Sequence, residues 1–253
     1  MKVTFLGTGT SQGIPVIGSN HPVCFSTDKK DKRLRVSVMI EWDDNCYVID
    51  CGPDFRYQML KTNCKKVNGI IFTHEHADHV AGLDDIRPFV FRQGDMPIYA
   101  HERVIKNLRE RFAYIFETEN RYPGAPSVHT HIINDSPFIL GNINVVPINV
   151  MHADLHVFGY RFNDFAYITD AKTIVDAERK KIEGVKVLVV NALRKEPHYS
   201  HFNLEEALQF IELVKPERAY LTHISHLMGF HEEVQQSLPK NVFLAYDNLQ
   251  ITI

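Results

Sequence analysis

Thr73-His74-Glu75-His76-Ala77-Asp78-His79 follows the apolar run Val67–Phe72 and decides how the rest of the chain is read. Val67–Phe72 has the composition of a short buried strand, so the histidines sit at a strand end, where a rigid scaffold presents side chains on a loop. Three imidazoles and two carboxylates within six positions cannot enter a core cheaply, because each needs a polar partner. Around metal ions the same groups become satisfied ligands, with N and O donors suited to Zn, Mn or Fe. The competing reading, a solvated His-rich turn, requires this spacing by chance, on the order of a few times per thousand such chains. The metal-ligating reading prevails.

Upstream of this cluster, Val3–Leu6, Arg35–Glu41 and Tyr47–Asp50 read as strands, and Pro53–Thr62 as a short helix. Downstream, His79–Arg92 has a helical pattern that Pro88 should kink or end. Pro97–Ala100 is a strand, His101–Phe116 an amphipathic helix and Tyr122–Ser127 a loop. Strands resume at Phe138–Leu140, Ile143–Val150, Val157–Phe162 and Phe165–Ile168, the last two joined at Asn163-Asp164 as a tight hairpin. The final third alternates helix Lys172–Ile182, strand Val185–Val190, helix Asn203–Val214, strand Arg218–Leu221, helix Gly229–Leu238 and strand Val242–Ala245. Asn203 and Glu206 have the spacing of a reciprocal capping box. Strands then helices, twice over, suit two facing sheets with helices outside. No linker or repeat divides the 253 residues, so one α/β domain spanning 1–253 is expected.

The order of motifs resembles the metallo-β-lactamase superfamily over nearly the whole chain. It begins with Leu6-Gly7-Thr8-Gly9-Thr10 and continues through Val48-Ile49-Asp50-Cys51-Gly52 to the central cluster. Met151-His152, Tyr167-Ile168-Thr169-Asp170 and Leu221-Thr222-His223 complete it. The resemblance implies a four-layer αββα sandwich with two divalent metal ions at one edge. It assigns His74, His76 and His152 to one ion, and Asp78, His79 and His223 to the other, with Asp170 bridging. Asp78 is also carried over as a catalytic carboxylate, and Asp50 as the carboxylate that orients a ligand imidazole. Read alone, His152, Asp170 and His223 are ordinary polar residues near strand ends; their joint order raises them. Gly7-x-Gly9 is not a dinucleotide loop, since Gln12 stands at the third position and Pro15 forbids an immediate helix.

The stretch from Gly13-Ile14-Pro15-Val16 to Pro22-Val23-Cys24 sharpens the resemblance towards a subgroup of cyclic-phosphate phosphodiesterases of phosphonate breakdown. Its members often carry a structural zinc in this loop. Ser19, His21, Cys24 and His226 occupy the corresponding positions, with two of three thiolates missing. An occupied third zinc on His21, Cys24 and His226 and a metal-free hydrogen-bonded loop both remain open. In Pro197–Asn203, His201 rather than His198 matches the family's non-ligand histidine, which contacts phosphate and serves as a general acid. His101, His129, His131, His156 and His231 are read as ordinary polar histidines. Arg109–Arg121, with Arg111, Tyr114 and Phe116, is either a substrate-facing insertion or a solvated helix.

Two ions close together lower the pKa of a bridging water towards about 7 and stabilise charge on the attacked group. The expected function is therefore hydrolysis of a small, in some cases cyclic, phosphodiester by a metal-bridging hydroxide, with Zn or Mn as the ions. A tRNA 3′-processing type of nuclease, a thioester or lactam hydrolase and a non-catalytic metal-binding carrier are the alternatives. A formal net charge of −3 argues against a broad nucleic-acid footprint. No apolar run approaches the roughly 18 residues of a membrane span. Scattered cysteines and a start without a signal-like apolar segment lead us to expect free thiols and a cytoplasmic setting. The subgroup resemblance adds an expected homodimer.

Overall fold

The alternating segments pair into two sheets. A computed structural model describes residues 1–119 and 121–253; Asn120, inside the candidate insertion Arg109–Arg121, lies outside the described residues. The first sheet takes β1 (Lys2–Gly7), β2 (Ser37–Trp42), β3 (Asn45–Ile49), β4 (Gly69–Ile71), β5 (Met96–Ala100) and β6 (Val128–Ile132). The second takes β7 (Phe138–Leu140), β8 (Ile143–His152), β9 (Leu155–Phe162), β10 (Phe165–Ile168), β11 (Val187–Asn191), β12 (Arg218–Thr222) and β13 (Val242–Leu244). A last strand, β14 (Gln250–Thr252), returns to the first sheet beside β1, giving the orders β14-β1-β2-β3-β4-β5-β6 and β13-β12-β11-β10-β9-β8-β7. Each sheet begins as an antiparallel meander and turns parallel, at β3/β4 in one and β10/β11 in the other. The parallel halves need crossovers, which the helices supply.

Those helices are α1 (Phe55–Thr62), α2 (Ala77–Val80), α3 (Arg87–Gln93), α4 (Glu102–Arg111), α5 (Ala113–Phe116), α6 (Asp176–Lys180), α7 (Leu204–Val214) and α8 (His231–Ser237). Three apolar clusters define the layers. One, including Phe5, Ile40, Tyr160 and Tyr167, fills the space between the sheets. Another packs the outer face of the second sheet, with Val190 and Leu221, against Ala207, Ile211 and Val234 of α7 and α8. A third packs Ile70 and Ile98 of the first sheet against Phe55, Phe89, Val104 and Leu108 of α1, α3 and α4. Three interfaces between four layers make the αββα sandwich. Each large side chain buried in them contributes roughly 1.5–3 kcal/mol.

Several element boundaries depart from expectation for local reasons. The helix expected over His79–Arg92 breaks, because Gly82 N–H bonds back to Cys51 O at 2.9 Å. The chain then passes through a 3₁₀ turn at Leu83–Ile86, and Pro88 falls in the first turn of α3 rather than ending a helix. The helix expected from Lys172 begins only at Asp176, since Lys172 N and Thr173 O are hydrogen-bonded to Met151 on β8. β6 and β14 were not anticipated: the first is a half-exposed edge reading Val-His-Thr-His-Ile, the second only three residues. The capping box forms, with Asn203 Oδ1 accepting from Glu206 N and Glu206 Oε2 accepting from Asn203 N, both at 2.9 Å. Among the described residues no helix is long and apolar enough to cross a membrane.

Candidate metal centre

Four strand ends at one edge of the sandwich bring the expected ligands together. β4 feeds His74 and His76; α2 carries Asp78 and His79; β8 ends on His152; Asp170 follows β10 and His223 follows β12. Asp50, Asp170 and His223 all adopt left-handed backbone, with φ of 63°, 57° and 55°. Such conformations cost on the order of 1 kcal/mol or more each and persist where the surroundings over-determine them. Here the enforcing contacts are visible. Buried Asn191, at the end of β11, accepts from Ala171 N at 2.7 Å and donates to Ala171 O at 3.0 Å, which holds the turn just past Asp170.

The seat of α2 explains the glycine of Asp50-Cys51-Gly52. A Cβ on Gly52 would lie 2.1 Å from Asp78 O, and one on Gly82 2.0 Å from Gly52 O. Only glycine at both positions lets the loop bearing Asp78 and His79 close onto the turn bearing Asp50. Cys51 N donates to His79 O across that contact at 2.7 Å.

Asp170 is the hub. His74, His76 and Asp170 form one group whose ligand atoms all lie within 4.8 Å of one another; Asp78, His79 and His223 form a second; His152, Asp170 and His201 form a third. All seven expected ligands thus converge, and His201 joins them. His79 Nε2 lies 3.3 Å from Asp78 and 3.5 Å from Asp170, and His223 Nε2 lies 3.5 Å and 3.3 Å from the same two carboxylates. The Nε2 atoms of His74, His79 and His223 are buried without a hydrogen-bond partner. Orphaned ring nitrogens facing two carboxylates are what a metal ion would satisfy, so the donor set fits a metal site.

The supporting shell fixes ring orientation. Asp50 Oδ2 accepts from His79 Nδ1 at 2.7 Å, and the Asp50 carboxylate also takes Thr73 N–H at 2.8 Å and Thr73 Oγ1–H at 2.9 Å. His152 Nδ1 donates to Ser200 O at 2.8 Å. Each leaves an Nε2 facing the centre. Arg103 on α4 pairs with Glu75 at 2.8 Å and donates to His156 O at 2.6 Å, tying the His74–His76 loop to the β8–β9 hairpin that carries His152. Thr73, Arg103, Ser200 and Asn191 were not singled out from sequence. Arg103 and Asn191 do carry a faint signal: a lone charge beside a strand–helix junction, and an amide closing a wholly apolar strand.

Electrostatics follow from this crowding. Burial works against charge on His79, yet Asp78, Asp170 and Asp50 move it well above the usual imidazole range. Burial likewise opposes ionisation of Asp170, but His223 and His79 keep its carboxyl well below the ordinary value, and His79 and His223 do the same for Asp78. Burial and the neighbouring His79 drive His74 well below the usual imidazole range. Burial pushes His201 down to about 4 even though its Nε2 lies 3.2 Å from Asp170 Oδ2. Such opposed shifts in one cleft are the mark of a functional site.

The fold, the Asp-x-Gly seat and the ligand order decide the family. A model of the β-lactamase superfamily domain matches residues 45–224, from β3 to just past His223. The chain belongs to the metallo-β-lactamase superfamily. Within the superfamily, a solved diphosphatase of the PhnP family superposes with a TM-score of 0.93 at 38% identity, covering 100% of this chain and 97% of that one. An octanoyltransferase of Porphyromonas gingivalis is 36% identical over 256 residues, covering 100% of this chain and 52% of its own length. A ribonuclease Z of Listeria innocua is 28% identical over 198 residues, 74% of this chain and 55% of its own length. The chain thus spans about half the length of these two curated relatives.

The remaining candidates sit outside the centre. His21 caps a 3₁₀ turn (Pro22–Phe25) with Nδ1 accepting from Val23 N at 3.4 Å, while Cys24 Sγ accepts from Val16 N and Ser19 Oγ from His21 N. His21 and His226 meet edge to face, 5.1 Å between ring centroids. Among the described residues no three-ligand group within 4.8 Å includes His21, Cys24 or His226, and the loop is held by hydrogen bonds. His231 is buried against the Arg33 guanidinium at 3.2 Å, and His101 caps α4. His101 and His231, both read as ordinary, thus have structural partners. All four cysteines are free.

Proposed function

We propose that this chain is a metal-dependent hydrolase of small phosphodiester-type links, a cyclic phosphate or a diphosphate bridge, using two divalent ions, Zn or Mn. The observation that carries the reading is His201: it stands within hydrogen-bond reach of Asp170 yet is not one of the family's seven ligands. Because burial lowers His201 to about 4, its ring is neutral and would act as a hydrogen-bond donor, its Nε2–H turning from Asp170 to an oxygen of a bound phosphate group and stabilising charge that develops there. Ions held by His74, His76, His152, Asp78, His79, His223 and Asp170 would supply an activated water and charge neutralisation. Asp78 and Asp170 stay ionised and orient that centre; His152 and His79 are held in register by Ser200 and Asp50.

A shallow depression of about 430 Å³ beside His76 and His152, bounded by Asp154, Leu155, Tyr199 and Ser200, leaves the centre open to a ligand. The net charge of −3 does not favour a long polyanion. The resemblance to a diphosphatase along the whole chain adds diphosphates to the substrate panel. The octanoyltransferase relative favours one second reading, acyl ester or thioester hydrolysis at the same centre.

The test is turnover by protein loaded with Zn or Mn. Bis(p-nitrophenyl) phosphate, a ribose cyclic phosphate, a disubstituted diphosphate and an octanoyl thioester form the panel. Cleavage of a phosphate substrate that falls at least 100-fold in His201→Ala, with metal content unchanged, is expected. Metal-replete protein that cleaves only the thioester, or nothing, would overturn the reading.

A further inference from the structure

Two half-buried cysteines outside the metal centre face each other. Cys46 stands near the start of β3 and Cys64 in the connection after α1, their Sγ atoms 3.8 Å apart. The other two cysteines, Cys24 and Cys51, are buried. The pair is already in register through the backbone: Cys46 N donates to Asn68 Oδ1 at 3.0 Å, and Asn68 N returns to Cys46 O at 2.6 Å. The chain just after Cys64 is thereby held against β3, and the two sulfurs at 3.8 Å stand about 1.8 Å beyond bonding distance. The hydrogen bond from Cys46 lowers Cys64 to about 7 against the opposing effect of burial, with Arg92 assisting and Glu41 resisting. An attacking thiol with a pKa near ambient pH combines thiolate content with nucleophilicity.

We propose that Cys46 and Cys64 are a peroxide-oxidisable dithiol that closes reversibly to an intramolecular disulfide. The Cys64 thiolate attacks one oxygen of hydrogen peroxide, forming S–OH and releasing hydroxide, which leaves as water. The Cys46 sulfur then displaces that hydroxyl, the Sγ–Sγ bond forms, and the Cys46 proton leaves with the hydroxyl as a second water. Two thiols have given two electrons to one peroxide. A low-molecular-weight dithiol reverses the step. The bond closes the segment from residue 46 to residue 64, which contains the Asp50-Cys51-Gly52 turn, so oxidation clamps the base of the element beneath the metal centre without touching a ligand.

The experiment uses the full chain, reduced and then titrated with hydrogen peroxide. Free thiols should fall from the four in the sequence to two, and non-reducing peptide mapping should recover a single Cys46–Cys64 cross-link that lacks two hydrogens. The oxidised protein should melt higher by about 5 °C or more. In Cys46→Ser, dimedone should trap a sulfenic acid at Cys64; Cys64→Ser should yield neither adduct nor cross-link. Four thiols surviving peroxide, a cross-link between other cysteines, or dimedone capture at Cys46 instead of Cys64 would each overturn the assignment.

Discussion

Replacing Asp50 by Asn tests whether this carboxylate sets the chemistry of the metal centre or only fills space. Asp50 is fully buried and accepts three hydrogen bonds, two from Thr73 and one from His79 Nδ1 at 2.7 Å. An asparagine of the same shape can still accept from Thr73, which turns its NH₂ towards His79. His79 must then accept at Nδ1 and carry its proton on Nε2, the atom that lies 3.3 Å from Asp78 and 3.5 Å from Asp170. A protonated Nε2 has no lone pair for an ion. Restoring the ligating tautomer sets N–H against N–H between two fully buried side chains. Losses of oriented ligand partners of this kind run about 10–100-fold in metal affinity, about 1.4–2.8 kcal/mol. The metal-free fold should also lose about 1–3 kcal/mol, because a buried charged hydrogen bond is replaced by a neutral one. Affinity is therefore measured on folded protein, by competition with a chromophoric chelator, with circular dichroism confirming the fold. With the two ions proposed above, weakening confined to one of them is expected, since His74, His76 and His152 make no hydrogen bond to Asp50. An Asp50→Asn protein that binds both equivalents as tightly as the parent would refute the argument.

Arg103→Ala cuts the tie from Glu75 to the β8–β9 hairpin; with Arg103 about a third exposed, a loss of about 1 kcal/mol, roughly fivefold in kcat/KM, is expected by steady-state kinetics. Asn203→Ala removes the accepting half of the α7 capping box and should cost about 1 kcal/mol, read as a fall of about 2–4 °C in Tm. Asp247 is half-buried between Thr8 and the Leu34 amide, and its desolvation raises its carboxyl to about 6. Its folded pKa exceeds the unfolded one, so the folded state binds the proton more tightly. This group's contribution must become less favourable as pH rises from about 4 to 6. Urea titrations across that window should show a flatter profile in Asp247→Asn than in the parent.

Much of this architecture could be read along the chain, because the decisive signals were local. Apolar strands ending in ligand-type residues repeat at His74, His152, Asp170 and His223, and each falls at the same edge once the sheets form. Boundaries failed where a distant contact overruled local pattern. Lys172 and Thr173 look helical but are held by Met151 of β8, and the run after His79 breaks because Gly82 answers to Cys51. β6 escaped notice because its polar histidines stack on a neighbouring strand, His131 against Tyr99 at 4.5 Å, a pairing without linear signature.

The residues that make the centre rigid were the least legible, and for one reason. A ligand is recognisable by type and spacing, whereas a support is defined only by what it reaches. Thr73 is adjacent to His74 in sequence, yet its significance comes from Asp50, across the sheet. Asn191 matters because two hydrogen bonds to Ala171 stabilise the turn that leaves Asp170 with φ of 57°. Gly52 matters because Asp78 O lies where its side chain would be. The left-handed turns at Asp50, Asp170 and His223 point the same way: the fold accepts local backbone strain at three strand ends to aim three side chains at one point. Local propensity and tertiary demand conflict at these positions, which is where a functional site is expected to show itself.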